Sequence, residues 1–449
     1  MNDELIRTAL RDATDTKDVV IGAGALAQVP EVFRRTFGPG ASAVVIADGN
    51  TWPVAGERVQ AGLEAAGLPT AAPYRFPPDT FVYAEYTNIE RLRDDLRDVD
   101  ATPVAVGSGS LNDIVKRAAH ELGRPYMNVA TAASMDGYTA FGAAITKEGY
   151  KQTMTCPAPR AVVADLDVLR TAPPDMTASG YGDLLGKITA GADWIVADEL
   201  GVEPVNRSVW DLVQGPLRSS VARPAELAAG DPDAMDNLIE GLIMSGLAMQ
   251  AASSSRPASG AEHQFSHLWE MEGHGHDWTP PLSHGFKVGV GSVAIAALYE
   301  RILERDLSQL DVEAATAAWP DREEVERRVR AAHTTPGLDE AAVAETLAKY
   351  IDADELGKRL EVLKARWPEL RKRLEDQLMP AERLREMLAA AGCPTGPDDI
   401  RLDRQAFRAT YHRAQMIRRR YTVLDLATEA GILNQAVDEL FAPGGFWAG

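Results

Sequence analysis

Short runs of consecutive apolar residues, each closed by glycine, aspartate or small residues, alternate with stretches of helical period over the first 170 residues. Residues 1–16 predict a short polar helix. Val19–Ile21 is a strand, followed by Gly22-Ala23-Gly24 and a helical segment. SAVVIADGNTW is a buried strand ending at Asp48. A helix over 54–66 and a Pro-rich connection follow. Val104–Val106 leads into Gly107-Ser108-Gly109-Ser110, and Asn112-Asp113-Ile114-Val115-Lys116 opens an amphipathic helix. PYMNV at 125–129 is a strand that runs into Thr131-Ala132-Ala133-Ser134 and then Asp136-Gly137. Residues 138–155 alternate weakly, as a β-hairpin does, and 160–166 form a last strand. Strands separated by helices imply a mostly parallel sheet covered on both faces.

After Pro173-Pro174 the strand signals nearly vanish, so the pattern divides the chain into an α/β domain at 1–172 and an all-helical domain at 173–449. Residues 182–187 read as the start of a helix with Asp183 in its first turn, where a carboxylate also complements the helix dipole. Asp193, Asp198 and Glu199 read as solvated. Helices are expected at about 208–221, 234–252, 262–272 and 285–303. Leu356, Leu360, Leu363, Trp367, Leu370, Leu374 and Leu378 form a helical stripe of bundle core, broken or restarted near Pro368. The basic run Ile417–Tyr421 is either a solvated face or a source of charge for a phosphate.

Composition narrows the function. The 449 residues carry a formal charge of −20, which argues against nucleic acid or an anionic membrane as the main partner. An anionic substrate must then find local positive charge at its site. The two cysteines, Cys156 and Cys393, form no CxxC pair and suggest neither a disulfide framework nor a thiolate site. The charged N-terminus is no signal peptide, and no run approaches a membrane span. A reducing cytoplasm is the expected location.

The chemistry concentrates at 259–291, which holds five of the eight histidines: His263, His267, His274, His276 and His284. His263 and His267 are four residues apart and share a helix face, and His284 opens the next helix. Two helices offering imidazoles to one point make an open metal site; the alternative is a His-rich loop. Two strand–Gly–helix turns compete as phosphate cradles. Gly22-Ala23-Gly24 lacks the third glycine of a dinucleotide fingerprint and reads more readily as a tight turn. The Gly107–Ser110 turn could bring backbone N–H groups to a pyrophosphate. Asp48, at a strand tip, either forms a turn or takes the hydroxyls of an adenosine ribose. Asp136 either forms a turn before glycine or hydrogen-bonds a substrate hydroxyl.

In this order, GSGSLND, TAASMDG, GYGDLLGK, SGAEHQFSH and SHGFKVGVG resemble the glycerol-1-phosphate dehydrogenases, in particular their bacterial branch, within the dehydroquinate synthase and iron-containing alcohol dehydrogenase superfamily. The likeness covers roughly residues 15–300. It implies a Rossmann-like sheet domain and a helical metal- and substrate-binding domain, with Asp183, His263 and His284 as ligands of one divalent ion: zinc, nickel or iron. It makes His267 and Asp136 substrate contacts and proton relays, and leaves His274 and His276 as loop residues. Gly107, Ser108, Gly109, Ser110, Leu111, Thr131, Ala132 and Ser134 would hold NAD, with NADP as the alternative, and Asp48 would lie on the ribose. The implied reaction interconverts dihydroxyacetone phosphate and sn-glycerol 1-phosphate, in a homodimer or larger homo-oligomer. The sequence departs from the pattern at Ser108, where relatives often have glycine, and at Ala140, where they often have serine and Thr139 is the substitute. Lys187 and Lys287 are candidates for the substrate phosphate. The alternatives are a dehydrogenase of another polyol or a cyclitol, and a dehydroquinate synthase-like lyase using NAD transiently.

Overall fold

A computed structural model describes residues 3–77, 82–148 and 150–448. The chain forms two compact units, Met1–Leu184 with Ser208–Ser255, and Leu185–Arg207 with Arg256–Gly449.

Among the described residues, the first unit is built on eight strands: β1 (Asp18–Gly22), β2 (Ala43–Ala47), β3 (Tyr74–Arg75), β4 (Thr102–Gly107), β5 (Met127–Ala130), β6 (Ala143–Lys147), β7 (Tyr150–Met154) and β8 (Ala161–Asp165). Six form one sheet in the order β1-β8-β5-β4-β2-β3, all parallel, and β6 with β7 is the expected antiparallel hairpin. Every residue of β2, β5 and β8 is buried, which is why these strands are apolar apart from Asn128 and Asp165 and do not alternate. One face carries Val45, Val104, Val129 and Val163, and the other Val44, Ile46 and Ala105. Elements beyond the sequence pattern include β3, only two residues long, and the helix Tyr86–Leu96, which buries Ile89, Leu92 and Leu96.

Packing does not divide where the strands stop. The helix Pro232–Ala252 belongs to the sheet unit because Gln250 accepts from the N–H groups of Asp15 and Thr16 and donates to Thr139 O. Gly246 lets this helix lie on residues 136–140, where a Cβ would come within 2.9 Å of Ala140 N and Asp136 O. The helix Pro174–Leu185 touches the 131–134 run, with a Cβ on Gly180 overlapping Ala133. It starts at Pro174, a residue suited to a first turn, so Asp183 sits in its last turn and not in the first turn of a new helix. The dipole therefore gives Asp183 no support there. Gly186 interrupts the path, and Lys187–Glu199 is the next helix.

The second unit is helical. Ala261–Met271 and His284–Leu303 carry the histidines, and Gly291 brings their backbones together: a Cβ there would lie 2.7 Å from Glu262 O. Asp193 is fully buried, not solvated. It accepts from Ala261 N at 2.7 Å, Val423 N at 2.8 Å and the Tyr299 hydroxyl at 2.6 Å, fixing the start of one histidine helix to the body of the other. Burial, reinforced by the Glu262 charge, pushes its carboxyl up to about 7. Glu199 is also buried, clasped by Arg366 and Arg373, and Asp198 pairs with Arg373. The helix Ala353–Gln377 runs unbroken through Pro368. Its capping box at Asp352 and Glu355 and its buried stripe, Leu356 to Leu374, outweigh the one missing N–H. Among the described residues no helix is long and apolar enough to cross a membrane.

Candidate metal and dinucleotide sites

In the helical unit the spacing that puts His263 and His267 on one face, and the close approach at Gly291, gather three imidazoles. Ring centroids lie 5.4 Å apart for His263 and His284, 6.0 Å for His263 and His267, and 5.6 Å for the stacked pair His267 and His284. A carboxylate holds each ring. Glu262 Oε1 is 2.8 Å from His263 Nδ1 and also accepts from Gly260 N, while Oε2 accepts from the Thr189 hydroxyl. Burial pushes the Glu262 carboxyl up, but the hydrogen bond and charge of His263 and the Gly260 N–H outweigh it, so its pKa falls below the ordinary carboxylate value. An ionised Glu262 can only accept, so the Nδ1 hydrogen bond is donated by the ring, and when His263 gives up its second proton the lone pair is on Nε2.

Glu270 repeats the device twice. Its Oε1 is 3.0 Å from His284 Nδ1 and its Oε2 is 3.2 Å from His267 Nδ1. His267, Glu270 and His284 can themselves offer ligand atoms within 4.8 Å of one another. Burial first, opposed by Glu270 and aided by Arg418 and His284, lowers His267 to about 3, so its ring is neutral. Neither Glu262 nor Glu270 stood out in the sequence. Their signal was position: one precedes His263 directly, the other follows His267 by three residues on the same face. His274 lies apart, its Nε2 on Ile400 O at 2.8 Å and its ring against Trp278. Lys287 is enclosed as well, donating to Leu282 O at 3.1 Å with Glu270 at 3.9 Å.

In the sheet unit, Asp48 follows β2, Gly107 ends β4 and Thr131 follows β5. These are neighbouring parallel strands, so all three lie at their C-terminal ends, where open α/β sheets bind ligands. The helix after β4 begins at Gly109, earlier than expected. Its cap residue Ser108 makes no side-chain cap bond, and no acidic residue stands in the first turn. A Cβ on Gly107 would overlap the Leu111 side chain, 2.7 Å from its Cβ, so only glycine admits this turn. Thr131 N donates to Gly107 O at 3.2 Å, joining the two candidate segments. Ala132 O accepts from the Tyr138 hydroxyl at 2.6 Å, and Ser134 Oγ lies 3.3 Å from the same hydroxyl. Asp48 Oδ1 accepts from Asn50 N and Thr51 N, which is turn chemistry on one of its oxygens.

The turn after β1 is closed. Gly24 N and Leu26 N donate to the buried Asp165 carboxylate at 3.1 and 2.9 Å, and Gly24 N also reaches Asp167. This is the tight turn that the missing third glycine suggested. Asp136 and Asp183 meet within the same unit: Asp136 N donates to Asp183 Oδ2 at 3.0 Å, and Ser245 Oγ donates to Asp136 Oδ2 at 2.8 Å. Thr139 is buried and its hydroxyl donates to Ile243 O at 2.7 Å. It packs a helix and does not stand in for a serine at position 140.

The family profile described as iron-containing alcohol dehydrogenase matches residues 20–173. The chain is 37% identical over 266 residues to a glycerol-1-phosphate dehydrogenase [NAD(P)+] of Halalkalibacterium halodurans, covering 57% of this chain and 64% of that protein, slightly under two thirds of its length. A protein of the same name from Bacillus velezensis is 36% identical over 66% of this chain and 74% of its own. Another, from Geobacillus thermodenitrificans, is 31% identical over 87% of each. Among solved structures, a probable glycerol dehydrogenase from Sinorhizobium meliloti 1021 superposes with a TM-score of 0.60 at 17% identity, over 94% of this chain and 96% of that one, a likeness of fold.

Proposed function

The chain belongs to the glycerol-1-phosphate dehydrogenase family, and from that premise we propose that it is a metal-dependent oxidoreductase that interconverts dihydroxyacetone phosphate and sn-glycerol 1-phosphate with a nicotinamide dinucleotide. The observation that carries the metal half is the pairing of His263 with ionised Glu262 and of His284 with Glu270. Carboxylates on Nδ1 orient imidazoles and raise their basicity at Nε2, which is how metal-binding histidines are usually supported. Two imidazoles and one carboxylate suit zinc, nickel or iron with a position left open. His263, His284 and Asp183 are the ligands in this reading. A bound divalent ion supplies polarisation of the reacting hydroxyl or carbonyl oxygen, and the nicotinamide gives or takes hydride.

The other residues bind, orient and move protons. The N–H groups from Gly107 to Leu111 take the pyrophosphate at an uncapped helix start. The small side chains of Thr131, Ala132 and Ser134 let a flat ring lie along the backbone. Asp48 keeps one oxygen for its turn and offers the other to the ribose; its charge disfavours a 2′-phosphate, which favours NAD over NADP. Asp136, oriented by Ser245, hydrogen-bonds a substrate hydroxyl. Neutral His267, with Nδ1 directed at Glu270, has Nε2 for the proton that enters or leaves the substrate oxygen through water.

NADH absorbance followed with dihydroxyacetone phosphate tests this directly. Oxidation that stops with a chelator and returns with zinc, nickel or iron is expected. Metal-replete protein that leaves NADH untouched overturns the proposal.

A further inference from the structure

With a charge of −20, this chain must place its few cations with care if it is to hold an anionic substrate. The two lysines nearest the motifs in sequence are both enclosed: Lys187 has no exposure and Lys287 is spent on Leu282 O and Glu270. A different cation lies on the segment that follows Ala414–Ile417. That segment is fastened along the first histidine helix. Gln264 Nε2, one residue after His263, donates to Arg420 O at 3.2 Å; Arg420 donates to Ser259 Oγ and O at 2.7 and 2.9 Å; Arg413 pairs with Glu272.

The three consecutive arginines have separate fates. Arg420 turns to Ser259 beside the histidine helix, and Arg419 turns away to a bidentate pair with Glu345. Arg418, between them and the 3-10 turn, is extended, at φ −147° and ψ 141°. It is half-buried, and among the described residues it makes no hydrogen bond or ion pair. Its charge is felt at the His267 ring, as well as at its neighbours Arg420 and Glu345.

We propose that Arg418 binds the phosphate of the substrate, a phosphate monoester dianion held beside His267. The proposal rests on the phosphorylated-substrate reading above. A guanidinium offers a two-pronged, permanently charged contact that suits phosphate, and an arginine left unpaired beside a site is ready for one.

The test uses the full chain loaded with metal and NADH. Arg418→Met should raise KM for dihydroxyacetone phosphate on the order of 10- to 100-fold, the loss expected for one charge-assisted contact. KM for unphosphorylated dihydroxyacetone should not move. Arg418→Lys should recover part of the loss, and Arg419→Ala should match the parent. Calorimetric titration with inorganic phosphate is the second readout: binding should weaken in Arg418→Met and persist in Arg419→Ala. Unchanged KM and phosphate affinity in Arg418→Met, or an equal rise in KM for both substrates, overturns the assignment while leaving the dehydrogenase intact. Should the parent protein fail to turn over dihydroxyacetone phosphate, the function fails, and the titration alone decides Arg418: affinity lost in Arg418→Met upholds it, affinity kept overturns it.

Discussion

Two turns in the sheet unit share one local pattern, a buried strand, a glycine-bearing bend and a helix, yet they end in opposite states. After β1 the N–H groups of Gly24 and Leu26 are taken by Asp165, a carboxylate of the chain itself. After β4 the helix starts at Gly109 with no side-chain cap and no acid in its first turn. A strand-to-helix bend makes an anion site by default, because its N–H groups lack partners. Whether a ligand can use it depends on what the rest of the chain places opposite. The closed turn is structural, and the open one is the proposed cradle of a dinucleotide pyrophosphate.

Substitutions can break this comparison. Gly107→Ala should weaken NADH binding on the order of 100-fold, since its Cβ cannot coexist with Leu111 and the N–H groups must turn away; fluorescence titration of NADH measures it. Unaltered affinity would mean the open turn is not the cradle. Asp165→Asn should lower stability by about 3 kcal/mol in urea melts, because its amide cannot accept on both sides from Gly24, Leu26 and Asp167, yet leave NADH affinity in place. Gly24→Ala, at φ +68°, should cost about 1 kcal/mol and again spare NADH.

The smallest effect extends the contrast to the helical unit. The Asp165 carboxylate is answered by N–H groups, whereas Glu429 is buried against Tyr421 and Arg359, and burial pushes it up to about 7 despite the arginine. A raised carboxyl pKa means the folded state holds a proton that the unfolded chain releases near pH ~4. The stability it contributes is complete below that value and is lost as pH rises through about 7. The melting temperature should therefore fall between pH 5 and pH 8, and Glu429→Gln should make that fall shallower by a few degrees. An identical slope in the variant would contradict the burial account.

The same contrast explains what the sequence could reveal. The parallel sheet, the hairpin and the four central helices were legible because apolar runs and helical periods are local. The tight β1 turn was legible from its missing glycine, but not the carboxylate that fills it, which lies 141 residues away. Asp193 looked solvated because its three donors come from Ala261, Tyr299 and Val423, all distant in the chain. Asp183 reads as a helix start because GYGDLLG is Gly-rich, but Pro174 opens the helix a few turns earlier and this stretch is its interior and end. His263, His267 and His284 were legible from spacing. Glu262 and Glu270 are ordinary helical acids until the rings they hold are seen.

The proposed metal role of His263 and His284 is the point on which the function turns. Metal content per chain, measured on purified parent protein and on His284→Ala with the fold checked by circular dichroism, tests it most directly. The account predicts about one ion per chain in the parent, and in the variant loss of the ion and of NADH-dependent turnover together while the fold persists. A folded His284→Ala that keeps its full complement of metal would contradict it.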